Sequence, residues 1–119
     1  MCGISGFIGN ENAYQKILDA LRQLQNRGYD SAGISIIHEQ KLITHKYASV
    51  NDKTALDLLD NFSYNSTIGI GHTRWATHGV KTDLNSHPHI SHDGKFSLVH
   101  NGIIENYQDI KIFLSEKGI

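Results

Sequence analysis

The chain contains a single cysteine, Cys2, and this residue directly follows Met1. Cysteine is small enough for ordinary methionine removal to leave it as the first residue of the mature chain. Such a residue carries a thiol and a free α-amino group on one Cα atom, and both groups titrate near neutral pH. The amine can take the thiol proton, so Cys2 is a candidate nucleophile with its own attached base. The alternative is a structural role, because free cysteines are among the most buried residues.

Two polar segments contain side chains suited to binding. Residues 27–33 form a predicted polar turn between a helix and a strand, and a capped helix end with a surface loop accounts for Gly28 and Asp30 but not for the whole segment. Residues 71–79 follow a predicted strand and bring an arginine, a tryptophan and two histidines together. Because a guanidinium group makes two parallel hydrogen bonds to a carboxylate, we expect Arg74 to hold one. The alternative is an arginine stacked on Trp75 for packing alone.

A third polar segment covers residues 99–106 and contains Asn101 followed by Gly102. An Asn-Gly pair usually predicts a hairpin turn. The functional alternative uses the Asn101 side-chain amide and the Gly102 backbone N–H as two donors to a developing oxyanion. A nucleophile with an attached base, a carboxylate clamp and an oxyanion hole are together the parts needed to hydrolyse an amide through a thioester.

The hydrophobic pattern predicts a mixture of helices and strands, which we assign to the α+β class. Strands are predicted over residues 4–8, 33–38, 41–47, 67–73 and 96–100, and the first of them is expected to be buried. Helices are predicted from about residue 12, from an N-cap at Asn51 or Asp52, and over 106–117. Apolar residues form a stripe at helical spacing in the first helix (Ile17, Leu18, Leu21 and Leu24), lie on the expected inner face of the second (Leu56, Leu59 and Phe62), and lie on one side of the last (Ile110, Phe113 and Leu114).

Size and composition limit the classes of protein that this chain can represent. Its 119 residues allow one domain at most. The net charge of −1, from 11 basic and 12 acidic residues, argues against general binding to nucleic acid or anionic membranes. One cysteine excludes an internal disulfide framework and fits a reducing compartment. The sequence shows no secretory signal and no membrane span, so we expect a cytoplasmic protein.

Histidine is the residue type in excess, and six of the eight histidines fall between residues 72 and 100. Neutral imidazoles are common metal ligands, so a metal site is one alternative for this stretch. It would be drawn from His72, His78, His87, His89, His92 and His100. The cysteines and regular ligand spacings that usually accompany such sites are absent from the sequence, which favours the amide-hydrolysis hypothesis.

The motifs also resemble a known family in their order along the chain. The resemblance rests on residues 1–4, 27–33, 72–79, 87–89 and 100–106 and covers nearly the whole sequence. It is to the class-II glutamine amidotransferase domain that begins the glutamine–fructose-6-phosphate aminotransferases. The resemblance implies an N-terminal-nucleophile (Ntn) hydrolase fold, an α/β/β/α sandwich. It implies no metal and no organic cofactor.

The resemblance implies a catalytic role for four residues. Cys2 would be the nucleophile after removal of Met1. Asn101 and Gly102 would form the oxyanion hole, and Arg27 would support the site near the thiol.

The resemblance also implies the residues that contact the substrate, glutamine. Arg74 would grip the α-carboxylate of glutamine, and Thr77 and His78 would line the same pocket. Trp75 would lie on a loop that closes over glutamine and screens the route of ammonia. His87 resembles a histidine associated with substrate contact at a domain boundary.

The family reaction hydrolyses glutamine to glutamate and ammonia, and the ammonia converts fructose 6-phosphate to glucosamine 6-phosphate in sugar-phosphate isomerase (SIS) domains. The family's glutaminase domain is longer than this chain. We therefore expect residues 1–119 to form a partial amidotransferase domain, the first half of the sandwich, without the isomerase domains. Weak or absent glutaminase activity is expected of such a truncated chain. The alternatives are an inactive relic, or a non-catalytic fragment that forms a homo-oligomer or pairs with a full-length homologue.

Overall fold

The computed structural model describes residues 2–24, 30–50, 54–75 and 80–119. Its elements are, in chain order, β1 (Gly3–Ile8), α1 (Ala13–Leu24), β2 (Ser31–His38), β3 (Lys41–Ala48), α2 (Ala55–Leu59), β4 (Ile68–Arg74), β5 (His89–Ile90), β6 (Ser97–Leu98) and α3 (Tyr107–Glu116). Helices and strands are therefore mixed along the chain, as the α+β prediction requires. None of these helices is long and apolar enough to cross a membrane.

Four strands form one antiparallel sheet in the order β1-β4-β2-β3, and β5 pairs with β6 in a separate small sheet. The predicted pair β2 and β3 is joined by Glu39 and Gln40, whose φ angles are 50° and 63°. Two consecutive positive φ angles are the geometry of the tight turns that match the twist of a hairpin. The order of the sheet places β4 between β1 and β2, so the end of β4 lies beside the start of β1.

Helices α1 and α2 cover one face of the large sheet and form the hydrophobic core with it. Glycines on β4 let α1 approach the sheet closely. A Cβ atom at Gly69 would lie 2.8 Å from Cδ1 of Ile17, and one at Gly71 would overlap Cγ2 of Ile17 and lie 3.0 Å from Cδ1 of Leu21. Side chains at these two positions would push the helix off the sheet, because protein cores are close-packed.

Polar side chains fix the start of both core helices. The Oδ1 atom of Asn12 accepts the N–H of Gln15 at 3.1 Å, and Oγ1 of Thr54 accepts the N–H of Asp57 at 3.2 Å. Each bond satisfies one of the backbone donors that a helix leaves unpaired at its N-terminus. In the core, the hydroxyl of Tyr14 donates to the carbonyl of Leu59 at 2.6 Å and ties the two helices together.

The second helix differs from its prediction. Asn51 and Asp52, the predicted caps, lie outside the described residues, and α2 begins at Ala55 after the Thr54 cap. The helix ends at Leu59, so Phe62 lies beyond it. Phe62 still packs against the core cluster, and its ring stacks on the His45 ring of β3, with centroids 3.8 Å apart.

The opposite face of the sheet is covered by the segment that carries β5 and β6. Oγ of Ser35 on β2 lies 2.6 Å from Oγ of Ser97 on β6, a hydrogen bond between the two layers. Gly33 leaves room for this layer, because a Cβ atom there would overlap the carbonyl oxygen of His87 and lie 2.9 Å from Cδ of Pro88. Because Gly33 has no side chain, residues 87 and 88 can pack directly on the sheet.

Two predictions about the surface elements are wrong. The first strand is not buried, because β1 is an edge strand on which Ile4 is 46% and Ile8 78% exposed. The strand predicted over 96–100 is limited to Ser97–Leu98, and its partner β5 was not predicted. In addition, none of the residues of the last helix, α3, is buried.

Candidate active site

The large sheet, the β6–α3 connection and the start of the chain meet at one open groove of about 910 Å³. Six of the residues predicted for the site line it, although they are far apart in the sequence. The lining consists of Cys2, Arg74, Trp75, His87, His89, Leu98, His100, Asn101, Gly102, Ile103, Ile104 and Tyr107. The groove therefore combines a thiol, a guanidinium group and a carboxamide.

The thiol of Cys2 is held by the backbone at the end of β4. Gly3 pairs with Thr73 in the antiparallel register of β1 and β4, so Cys2 comes next to the residues that follow Thr73. The N–H of Trp75 donates to Sγ at 3.3 Å, and Sγ lies 3.7 Å from the carbonyl oxygen of Trp75. The indole of Trp75 itself is exposed at the groove. Strand pairing thus sets the position of the sulfur.

The guanidinium group of Arg74 is oriented by backbone carbonyls from the segment after β4. Its Nη1 donates to the carbonyl of Asn85 at 3.2 Å and to that of Val80 at 3.4 Å. The backbone of Arg74 is anchored as well, because its carbonyl accepts the N–H of Asp30 at 2.8 Å. A guanidinium fixed at the edge of the groove is a suitable partner for a carboxylate.

Asn101 and Gly102 do not form a hairpin turn, because they connect β6 to α3. The side-chain Nδ2 of Asn101 donates to the carbonyl of Cys2 at 3.1 Å, so the carboxamide reaches the residue that the sequence predicts as the nucleophile. Gly102 has a φ angle of 157°, and a Cβ atom there would lie 2.9 Å from Nε2 of His100. Glycine is favoured at this position for both reasons.

Three histidines pack together at the groove, and two of them, His87 and His89, belong to its lining. The rings of His72 and His87 stack with centroids 4.3 Å apart, and those of His87 and His89 meet edge to face at 4.4 Å. Burial lowers the pKa of His87 to about 3, and the nearby positive charges of Arg74 and Lys46 act in the same direction. Burial also lowers the pKa values of His72 and His89. The three rings are therefore neutral at neutral pH.

The lowered pKa of His87 predicts a loss of stability in acid. Between about pH 6.5, the ordinary value, and about 3 the unfolded chain binds a proton at this ring and the folded chain does not. Since stability rises with pH wherever the unfolded state binds more protons, the free energy of unfolding should fall as the pH drops below 6.5. Urea unfolding between pH 7.5 and pH 4.5 measures this slope.

Two variants isolate the contribution of His87 from that of the carboxylates. His87→Gln keeps a polar side chain that does not titrate, so its stability should fall less steeply with acidification than that of the parent. His92→Gln is the matched control, because His92 is exposed, and its slope should equal the parent's. Equal slopes in all three proteins would contradict the assignment.

For the metal-site alternative, the described residues provide no cluster of ligands. Within residues 2–24, 30–50, 54–75 and 80–119, no three histidine, cysteine or acidic side chains are grouped so that they could hold a metal ion. His72 and His87 instead meet through their ring faces, a packing contact.

Some predicted site residues lie outside the part of the chain that the structure describes, and some residues that line the groove were not predicted as site residues. Arg27, Thr77 and His78 lie outside the described residues. His72, His89 and His100 belong to the motifs of the resemblance and to the metal-site alternative, but none of them had a predicted role in glutamine hydrolysis. Leu98, Ile103, Ile104 and Tyr107 were not predicted. For Ile103, Ile104 and Tyr107, the sequence feature that could have indicated a place in the groove is that apolar residues follow the Asn-Gly pair.

The fold is that of the Ntn amidotransferases, in part. The whole chain superposes on 26% of an enzyme described as the allosteric regulatory enzyme of purine biosynthesis, with a TM-score of 0.77 and 27% identity. The whole chain also superposes on 26% of the glutamine phosphoribosylpyrophosphate amidotransferase from B. subtilis, with a TM-score of 0.75 and 28% identity. The predicted α+β, Ntn-type fold is confirmed for the portion that the chain represents.

More specifically, the chain is similar to the glutamine–fructose-6-phosphate aminotransferases, as the sequence motifs predicted. The enzyme of Caldanaerobacter subterraneus subsp. tengcongensis is 50% identical over 118 residues, which are 99% of this chain and 19% of the relative. The enzyme of Aquifex aeolicus is 47% identical over all 119 residues, 20% of its length. The chain thus spans about one fifth of these relatives, and no family model matches it.

Proposed function

We propose that this chain carries the glutaminase half-reaction of a glutamine amidotransferase. The observation that supports it most strongly is the convergence of the Cys2 thiol, the Asn101 carboxamide and the Arg74 guanidinium at one groove. Nucleophile, oxyanion donor and carboxylate clamp are the parts that amide hydrolysis needs. The relatives that match nearly the whole chain are glutamine-dependent aminotransferases, which favours glutamine as the amide.

In the proposed reaction Cys2 acts as the chain's first residue, after removal of Met1. Its α-amino group takes the thiol proton, and the sulfur attacks the side-chain carbonyl carbon of glutamine. The carbonyl oxygen becomes an oxyanion, which the side chain of Asn101 and the N–H of Gly102 stabilise. The C–N bond then breaks, the departing nitrogen takes the proton and leaves as ammonia, and a γ-glutamyl thioester remains on Cys2. Water hydrolyses this thioester to glutamate and restores the thiol.

We assign the recognition of glutamine chiefly to Arg74. Its guanidinium group, oriented by the carbonyls of Val80 and Asn85, would pair with the α-carboxylate. The remaining assignments rest on the family resemblance: Trp75 as the closing residue, Thr77 and His78 in the pocket, Arg27 beside the thiol and His87 at a domain boundary.

The ammonia would convert fructose 6-phosphate to glucosamine 6-phosphate, and the name of the relatives, glutamine–fructose-6-phosphate aminotransferase, includes this acceptor. We place the sugar-phosphate acceptor outside the residues of this chain, in isomerase domains. A cytoplasmic location and a homo-oligomer stay predictions.

A non-catalytic fragment that pairs with a longer homologue is the second candidate. It is favoured by one observation, the exposure of the apolar side of α3, where Ile110, Phe113 and Leu114 are all accessible. An exposed apolar face of this kind usually marks a surface that another element covers.

Release of glutamate from glutamine distinguishes the two candidates. Purified protein with an N-terminal cysteine should release glutamate and ammonia in equal amounts from glutamine, slowly, and no aspartate from asparagine, whose side chain is one methylene shorter. A cooperatively folding protein that begins with Cys2 and releases no glutamate would contradict the proposal and favour the non-catalytic fragment.

A further inference from the structure

His72 lies in the middle of the site but has no role in the chemistry described above. It is on β4, two residues before Arg74, and its side chain is fully buried. Its Nε2 atom lies 2.7 Å from Oδ1 of Asn101, the shortest of the hydrogen bonds that hold this carboxamide. A buried ring at the base of a catalytic carboxamide can determine which way that carboxamide points.

The hydrogen bonds around Asn101 define the tautomer of His72. Nδ2 of Asn101 donates to the carbonyl of Cys2, so Oδ1 must be the atom that faces His72. An oxygen only accepts, and Nε2 of His72 therefore carries the proton. Nδ1 of His72 is buried without a hydrogen-bond partner among the described residues, and in this tautomer it carries no proton that would need an acceptor. Burial also lowers the pKa of His72, which favours the neutral ring with one proton.

The backbone beside Asn101 has a second anchor on the same pair of rings. The N–H of His100 donates to Nδ1 of His87 at 3.3 Å, and His87 stacks on His72. The backbone that precedes Asn101 and the carboxamide of Asn101 are thus both attached to this stack.

We propose that His72 is a positioning residue of the glutaminase site, whose Nε2–H fixes the Asn101 carboxamide with Nδ2 turned toward Cys2. The inference rests on the proposed function and extends it to a residue that touches neither thiol nor substrate. Without this bond the carboxamide can rotate and present Oδ1 to the groove. An oxygen there would repel the developing oxyanion that Nδ2 is meant to stabilise.

Two substitutions at His72 separate the hydrogen bond from packing. His72→Met has a similar volume but no donor, and it should lower kcat for glutamine about tenfold to a hundredfold with little change in KM, because the lost interaction acts mainly in the transition state. His72→Gln offers an amide N–H near the position of Nε2 and should recover most of kcat. Equal kcat in His72→Met and the parent, or a loss that His72→Gln does not recover, would overturn the proposal.

A double-mutant comparison tests whether the loss of kcat in His72→Met arises through Asn101 or through a general disturbance of the structure. If His72 acts through Asn101, His72→Met should have almost no further effect on kcat in an Asn101→Ala background. Independent, multiplicative losses in kcat would overturn the proposal.

The tautomer can be measured without any turnover, which separates this inference from the proposed function. Two-bond ¹H–¹⁵N NMR correlations of the folded protein should show His72 as neutral with the proton on Nε2 at pH 7. Asn101→Ala should alter the ring resonances of His72. A proton on Nδ1, or a doubly protonated ring, would overturn the positioning role even if the protein hydrolyses glutamine.

Discussion

Replacement of Cys2 by alanine should reduce glutamine hydrolysis at least about a thousandfold, because the reaction loses the atom that forms the thioester. The fold should be retained, since Cys2 lies just before β1 and is only half-buried. The measurement is glutamate release under saturating glutamine, with circular dichroism as the test of folding.

Ser5→Ala, a substitution of similar size on β1, is the matched control for Cys2→Ala and should retain glutamine hydrolysis. A Cys2→Ala protein that keeps a tenth or more of the parental rate would show that another group attacks the amide.

Replacement of Asn101 by alanine should lower kcat about a hundredfold to a thousandfold, the usual effect of removing one oxyanion donor. KM should change little, because the donor acts on a charge that develops only in the transition state. In addition, the carbonyl of Cys2 loses the hydrogen bond from Nδ2. Steady-state kinetics with glutamine measures both constants.

Asn10→Ala is the control for Asn101→Ala, because Asn10 is an exposed asparagine in the turn after β1. Its kinetics should match those of the parent. A rise in KM with unchanged kcat in Asn101→Ala would place this residue in ground-state binding and contradict its oxyanion role.

Local sequence predicted the elements that local forces determine. The apolar stripe of α1 predicted its buried face, with Ile17, Leu18 and Leu21 all in the core. The turn at Glu39 and Gln40 was located correctly because the hydrophobic pattern changes sharply on either side of it. These features depend on neighbours a few residues apart, so periodicity is enough to identify them.

Local sequence did not determine features that depend on distant partners. Asn101 and Gly102 have the composition of a hairpin turn, and their alternative role in the site depends on contacts of Asn101 with His72 and Cys2, which are far away in the sequence. The apolar residues of β1 predicted a buried strand, but β1 lies at the edge of the sheet and its Ile4 and Ile8 are exposed.

The site was predicted by motif, and the register of the strands explains why its residues meet. Gly3 pairs with Thr73, so Cys2 and Trp75 become neighbours across 73 positions of sequence. The role proposed for His72 could not be predicted from the motif, because nothing in the composition of β4 indicates which of its side chains faces Asn101.

Covalent capture of the nucleophile tests the central claim most directly. The diazoketone analogue of glutamine should form one adduct per chain, and peptide mass mapping should locate it on Cys2 of a protein that has lost Met1. Excess glutamine should slow the labelling, since both compounds would occupy the same groove. A chain that still begins with Met1, or an adduct on any residue other than Cys2, would contradict the account.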